Sequence, residues 1–328
     1  MKRAPIIAAF ALAFSMSLAA SVADARASEF AARTELYAIP TLTLSDSHFL
    51  KGEAEGTPAT VGGQFRIAPG AGRLPVVVLM HGSGGMGPNI EMWAEEFNAM
   101  GISSFALDGF TGRGLVRTSD NQALLGRLNF ILDIYRALDI LAKHPRVDPE
   151  RIVLMGFSRG GQAALYASLK RFHKMWNKSG VQFAGYIPFY PDCVTTYIGD
   201  TDVADRPIRI FQGTADDYNP VAPCKAFVAR LRAGGHNVEL TEYPNVWHAF
   251  DNPLGSTTLY ISKGGQTVRH CSIREEPEGL LINATTKQPF TYKDPCVETD
   301  PHLATDLAAT ADAKMRVKAF LKDVFKLN

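Results

Sequence analysis

Residues 151–165 read Arg151-Ile152-Val153-Leu154-Met155-Gly156-Phe157-Ser158-Arg159-Gly160-Gly161-Gln162-Ala163-Ala164-Leu165. An apolar run enters this stretch, a serine flanked by glycines stands at its middle, and a helix-forming pattern leaves it. The order describes a strand that turns sharply into a helix with the serine on the turn, a nucleophile elbow. The Gly-x-Ser-x-Gly spacing has a steric reason. A Cβ two positions to either side of the serine would collide with the neighbouring strand or helix, and Gly156 and Gly160 fill those places. The turn aims the Ser158 hydroxyl away from the sheet. The main-chain N–H of Arg159, at the start of the helix, then faces the point where an oxyanion would develop. A glycine-rich loop that happens to carry a serine is the simpler alternative, and the partners found elsewhere in the chain weigh against it.

Upstream of the elbow, Val76-Val77-Val78-Leu79-Met80 is a continuous apolar run, as in a parallel strand buried on both faces. It empties into His81-Gly82-Ser83-Gly84-Gly85-Met86-Gly87, and a helix is expected over 88–100. The next strand is predicted at 103–107. A long helix follows over 124–143, with Leu128, Ile131, Tyr135 and Leu138 on its apolar face, Asn129, Asp133, Arg136 and Lys143 opposite, and Pro145 ending it. Downstream, strands are predicted at 181–187, 208–211 and 238–243, with a helix at 224–233 and a final amphipathic helix at 306–325. Short alternating runs within 34–68 suggest edge strands. Strands alternating with helices imply a mostly parallel central sheet with helices on both faces, whose chemistry lies at the carboxyl ends of the strands. Residues 252–303 break the alternation with glycines, polar runs and two cysteines. They are too poor in apolar residues for a substantial core of their own, and read as an insertion before the C-terminal helix.

The N-terminus has a positive start at Met1-Lys2-Arg3, an apolar run over 6–18 and small residues at 23–27. This pattern is expected for a secretory signal peptide over 1–25, leaving 26–328 as a single domain. The apolar run is shorter than the roughly 18 residues of a spanning helix, so no membrane span is expected and the protein is expected to be secreted or periplasmic. A net charge of +1 over 328 residues, without a basic stripe, argues against a nucleic-acid partner. Export would place Cys193, Cys224, Cys271 and Cys296 in an oxidising compartment, where an even count reads as two disulfides and not as a metal site. The expected pairs are Cys193 with Cys224, which joins two neighbouring strand-loop units, and Cys271 with Cys296, which closes the insertion.

An alkyl hydroxyl needs a base within hydrogen-bond reach and a group that fixes the tautomer of that base. Asp216 and His248 are the chosen partners of Ser158. Both fall just past a predicted strand end on the same rim, and the order Ser, Asp, His is that of α/β-hydrolases. Asp217 remains a competitor for the acid. His81 reads as a brace of the loop after the first core strand, and His236 as a surface residue on the opposite rim. Gly82-Ser83-Gly84-Gly85-Met86-Gly87 also satisfies the dinucleotide pattern G-x-G-x-x-G, with Asp108 further on. The signal-peptide pattern and the catalytic signals favour the other meaning of His-Gly-x-Gly-Gly, an oxyanion loop, with the N–H groups of Ser83 and Arg159 as donors.

From about residue 74 to residue 251, with the final helix, the chain resembles the dienelactone hydrolase family of α/β-hydrolases. The residues that carry the resemblance are Gly156-Phe157-Ser158-Arg159-Gly160-Gly161, Gly213-Thr214-Ala215-Asp216 with Pro220, and Trp247-His248-Ala249-Phe250. The resemblance implies that Asp216, not Asp217, is the acid and that His248 is the base. The prototype of that family uses a cysteine nucleophile, so Ser158 aligns this chain with an exported serine branch. Residues 252–303 have no counterpart in the minimal family fold.

The expected activity is therefore that of an exported serine hydrolase cleaving a small-molecule carboxylic ester or lactone through an acyl-enzyme, with no cofactor and no metal. The alternatives are a serine peptidase on the same fold, a catalytically idle binding module and a dinucleotide-dependent oxidoreductase. For the substrate pocket, the rim loops offer Arg113, Arg117 and Arg159 together with Phe110, Tyr218 and Trp247. The expectation is an apolar wall plus one guanidinium, Arg113, that grips a substrate carboxylate. The alternative has these arginines pairing with Asp108, Asp192 or Asp217 to brace loops.

Overall fold

The computed structural model describes residues 32–327, so the expected signal peptide lies outside the described residues. The chain opens with strands β1 (Arg33–Thr43) and β2 (Thr57–Ile67), joined through the short helix α1 (Asp46–Lys51). Strand β3 (Leu74–Met80), helix α2 (Pro88–Asn98), strand β4 (Ser103–Asp108), helix α3 (Asn129–Leu141) and strand β5 (Val147–Phe157) follow. The elbow leads into α4 (Arg159–Tyr166), then α5 (Lys170–Trp176), β6 (Gly185–Phe189) and β7 (Thr195–Thr196). The second half of the main sheet comes from β8 (Ile208–Gly213), α6 (Val221–Ala233) and β9 (Val238–Tyr243).

Eight strands form this sheet in the order β1-β2-β4-β3-β5-β6-β8-β9. The first two pairings are antiparallel, and every pairing from β4 to β9 is parallel. Strand β3 shows why its sequence has no polar face. Val76, Val78 and Met80 point into one core beside α3 and α4, while Val77 and Leu79 point into another beside α2 and the last helix. With both faces covered by helices, alternate residues are equally buried, which is why the run is continuous.

The C-terminal helix α7 (Leu307–Phe325) is introduced by Asp306, whose side chain accepts from the Ala309 N–H. Before it, residues 252–303 contribute β10 (Tyr260–Ile261), β11 (Ile273–Glu276), β12 (Leu280–Asn283) and β13 (His302–Leu303). Strand β11 pairs with β12 and, in parallel, with β7; β10 pairs with β13. Val268, Cys271, Ile273 and Leu281 are buried against the main body. Both disulfides are present, Cys193 with Cys224 and Cys271 with Cys296. Among the described residues no helix is long and apolar enough to cross a membrane.

Two sequence expectations need correction. The strand expected at 181–187 begins only at Gly185, because the Val181 carbonyl is engaged by the Asn177 side chain instead of a ladder. The long helix starts at Asn129, after a 3-10 turn at Gln122–Leu124. Its expected polar face is solvated only toward Arg136 and Lys143, and is buried at Asn129 and Asp133. The end of β1 and the residues leading into α1 cross it, so Asn129 bonds both the N–H and the carbonyl of Leu44, and Asp133 accepts from Thr41 at 2.8 Å.

Candidate active site

Ser158 sits at the end of β5 with φ 54° and ψ −117°, outside the ordinary regions for a residue bearing a side chain. The flanking glycines show how the turn tolerates this. A Cβ on Gly156 would lie 2.0 Å from the Gly160 carbonyl oxygen, and one on Gly160 would lie 2.2 Å from the Met80 carbonyl oxygen. The turn is held further by the Ser158 N–H, which donates to Phe189 O at 3.0 Å.

Beyond β9, the loop carrying His248 passes through Asn245 at φ 58° and Ala249 at φ 57°. These bends bring His248 Nε2 to 3.0 Å from Ser158 Oγ, while Nδ1 lies 2.8 Å from Asp216 Oδ2. Asp216 follows β8, and its other oxygen accepts the N–H groups of Tyr218 and Asn219 at 2.9 and 2.8 Å. Gln212 Nε2 donates to Oδ2 at 3.2 Å. The carboxylate is thus fixed as an acceptor toward the imidazole, which places the proton on Nδ1 and leaves Nε2 free to accept from the serine. His248 is confined by two tyrosine rings, Tyr218 stacked at 4.7 Å and Tyr190 edge-on at 4.7 Å. Tyr190 in turn donates to Asp251 Oδ1 at 2.6 Å, and Trp93 Nε1 donates to Oδ2 at 2.8 Å. Burial pushes the Asp251 carboxyl up and the Tyr190 phenol well up from their ordinary values.

The loop after β3 closes over the serine. A Cβ on Gly82 would sit 3.2 Å from Ser158 Cβ, so a side chain there would push the loop and the serine apart by a few tenths of an ångström. His81 braces it from behind. The Gly109 N–H donates to Nε2 at 3.0 Å, so Nδ1–H donates to Gly82 O at 2.7 Å. Burial holds this imidazole neutral, lowering its pKa to about 4 despite the Asp108 carboxylate 3.8 Å away. Arg159 is the first residue of α4, and its N–H is among those that a helix leaves without an internal acceptor.

The expected substrate-binding residues divide. Tyr218 lines the cavity at Ser158, and burial pushes its phenol up to about 12. Arg113 does not line it. Its guanidinium is buried beneath the loop, bonded to Asp133 at 2.6 and 2.9 Å, to Thr43 and to the carbonyls of Leu42 and Gly109. The expected grip on a substrate carboxylate is corrected to a loop brace, and its partner is Asp133, which none of the sequence alternatives named. Phe110 is buried behind the loop, with its ring 4.6 Å from His81. Trp247 packs on His302 at 5.4 Å, and Arg117 pairs with Asp120 on the surface.

Sequence reasoning missed the part played by residues 252–303. Thr267 Oγ1 donates to Tyr218 O at 2.6 Å, Arg269 Nη1 bonds Asp217 Oδ2 at 2.9 Å, and Leu303 bridges to His248. The segment therefore packs along the acid loop and supplies Asn252, Ser262, Gln266, Thr267 and Leu303 to the cavity walls. It also missed Gln122, Arg127, Gln162 and Tyr292, which together with Ser158 line a hollow that His248 does not line. Among the described residues no group of three or more His, Cys, Asp or Glu is placed to hold a metal ion.

An open parallel sheet flanked by helices, with a strained serine on a strand-to-helix elbow and a histidine and an aspartate in reach at strand ends, defines the α/β-hydrolase class. Within it, the dienelactone hydrolase family model matches residues 63–268, and the chain belongs to that family. A 166-residue match at 28% identity joins it to NocK of Nocardia uniformis subsp. tsuyamanensis, whose designation as an esterase is provisional. That match spans 46% of this chain and 46% of NocK, about half the length of each. Among solved structures, the dienelactone hydrolase-like promiscuous phosphotriesterase P91 from metagenomic libraries superposes with a TM-score of 0.58 at 17% identity, covering 89% of this chain and 98% of its own. MGS-M1, an α/β-hydrolase enzyme from a Medee basin deep-sea metagenome library, gives 0.51 at 15% identity, covering 81% and 93%. At these identities the two structures speak for the fold.

Proposed function

We propose that the protein is a serine hydrolase of small carboxylic esters or lactones. The observation that carries this reading is the continuous chain from Asp216 through His248 to Ser158 at 2.8 and 3.0 Å, ending on a strained serine beneath a glycine loop. Ser158 Oγ attacks the carbonyl carbon as His248 Nε2 takes the hydroxyl proton. Asp216 holds the imidazole in the required tautomer and stabilises its charged form. The N–H groups of Ser83 and Arg159 receive the oxyanion. The bond to the alcohol oxygen then breaks, and His248 returns the proton to that oxygen. Water, activated by the same histidine, attacks the acyl-enzyme and releases the acid.

Two disulfides support a working place in an oxidising compartment, in line with the export expected from the N-terminal pattern. The test is ester turnover by the wild type and by Ser158→Ala. The variant is expected to lose a factor on the order of 10⁴ to 10⁶ in kcat, keeping only what binding and the oxyanion donors supply. A folded variant that kept a tenth or more of the wild-type rate would refute the assignment.

A further inference from the structure

The cavity at Ser158 has two arms. One is a cleft of about 330 Å³ reached by Gly82, Tyr190, His248, Ala249 and Leu303. The other is a narrow hollow of about 30 Å³ bounded by Arg159, Gln162, Thr267 and Tyr292. Ser83, Ser158 and Tyr218 belong to both arms, whereas His248 belongs to the cleft alone. If Ser158 is the nucleophile, as proposed above, this asymmetry decides which half of an ester goes where. When the bond to the alcohol oxygen breaks, its electron pair goes to that oxygen, and His248 Nε2 must deliver the proton there. The leaving alcohol therefore lies in the cleft. The acyl chain, still bonded to Ser158 Oγ, is directed into the hollow.

The hollow has room for about two or three water-sized groups beyond the carbonyl. Its walls present donors and positive charge. Gln162 lies four residues after Ser158, one turn along the same face of α4, and its own N–H donates to Ser158 O at 2.8 Å. Gln162 is 4% exposed, and among the described residues its buried amide nitrogen has no hydrogen-bond partner. A buried donor left unpaired is costly, and such groups are rare in folded proteins. The Arg159 guanidinium donates to the carbonyls of Leu125 and Gln122 and to Gln122 Oε1, at 2.9 to 3.0 Å, and lies over the Phe130 ring at 5.8 Å, with no carboxylate ion pair among the described residues. Arg127 is offset by Asp192 at 2.9 Å.

We propose that the hollow is an acyl pocket selecting short acyl groups that carry an acceptor oxygen near the α-carbon, with Gln162 Nε2 as the donor that reads it. An apolar chain of the same length would leave that donor unpaired, and a longer chain would not fit.

The test uses the full chain and four ethyl esters: acetate, butyrate, methoxyacetate and the monoester of malonic acid. Each kcat/KM is divided by the rate constant for alkaline hydrolysis of that ester, which removes differences in intrinsic reactivity. Methoxyacetate, which matches butyrate in length, is expected to exceed it by at least about tenfold. A further gain for the malonate monoester would assign the acceptor to an anion facing Arg159. A gain confined to methoxyacetate would assign it to a neutral oxygen. Gln162→Leu is expected to bring the methoxyacetate to butyrate ratio close to one. A wild-type ratio near one, or a ratio unchanged in Gln162→Leu, would overturn the acyl-pocket assignment while leaving the hydrolase reading intact. Failure to hydrolyse any of the four, acetate included, would overturn both.

Discussion

Asp216 and Asp217 are neighbours in the chain but serve different networks: Asp216 Oδ2 lies 2.8 Å from His248 Nδ1, whereas Asp217 Oδ2 lies 2.8 Å from His302 Nδ1 and 2.9 Å from Arg269 Nη1. One carboxylate faces His248 and the other tethers residues 252–303. Asp216→Asn is expected to cost about 10⁴ in kcat, because an amide favours the wrong tautomer of His248. Asp217→Asn is expected to keep kcat within about tenfold and to lower stability by about 1 to 2 kcal/mol through its lost charged hydrogen bonds. Steady-state kinetics and urea unfolding of both variants check this. A reversed order of kcat losses would make Asp217 the acid.

Arg113 and Asp133 form a buried ion pair, with side chains 4% and 0% exposed. Removing one partner of such a pair strands the other charge, a cost of about 3 to 5 kcal/mol. Arg113→Met is expected to lose stability of that order. Its relative kcat/KM for matched acidic and neutral esters should stay as in the wild type, because the guanidinium lies outside the cavity. A selective loss for the acidic ester would return Arg113 to the substrate site.

His81 gives stability a pH dependence whose sign is fixed by its lowered pKa. The folded protein refuses a proton until about pH 4, whereas the unfolded chain takes it near the ordinary value of 6.5. Across that window the unfolded state binds more protons, so stability falls as pH falls, by roughly 3 kcal/mol in all. Urea unfolding of wild type and His81→Gln at neutral pH and near pH 4.5 measures it. The wild type is expected to lose roughly 2 to 3 kcal/mol more than the variant over that interval. Parallel losses in the two proteins would contradict the neutral buried imidazole.

The Cys271–Cys296 disulfide closes a sequence separation of 25 residues within the segment that walls the cavity. Restriction of the unfolded chain by a loop of this length contributes about 3.5 kcal/mol. Replacing both cysteines by serine is expected to lower the unfolding free energy by about that amount and to raise KM more than it lowers kcat. An unchanged KM would show that the segment keeps its place on the acid loop without the bridge.

The positions of Ser158, Asp216 and His248 on one rim were legible because local signals mark all three: a glycine-bracketed turn and two strand ends in a set chain order. Strand β3 was legible for a similar reason, since burial on both faces leaves an unbroken apolar run. The place of Arg113 was not. Periodicity puts Asn129 and Asp133 on the polar face of α3, and nothing local says that residues 41–46 fold across that face and bury it. The same limit hid residues 252–303, whose attachment combines a few buried side chains such as Ile273 and Leu281, a short pairing with β7 and scattered polar contacts from Thr267, Arg269 and His302, with no periodic pattern to announce them. Gln162 had a usable signal, because a residue four positions after the elbow serine must share its helix face.

The central claim is that Ser158 is the nucleophile, activated by His248. Its most direct test is reaction of the folded, full-length protein with a fluorophosphonate, followed by intact-mass and peptide mass spectrometry. The expected result is a single stoichiometric adduct on Ser158 in the wild type, strong slowing in His248→Ala, and no adduct in Ser158→Ala. An adduct at another residue, or an unlabelled wild type that still hydrolyses esters, would contradict the account.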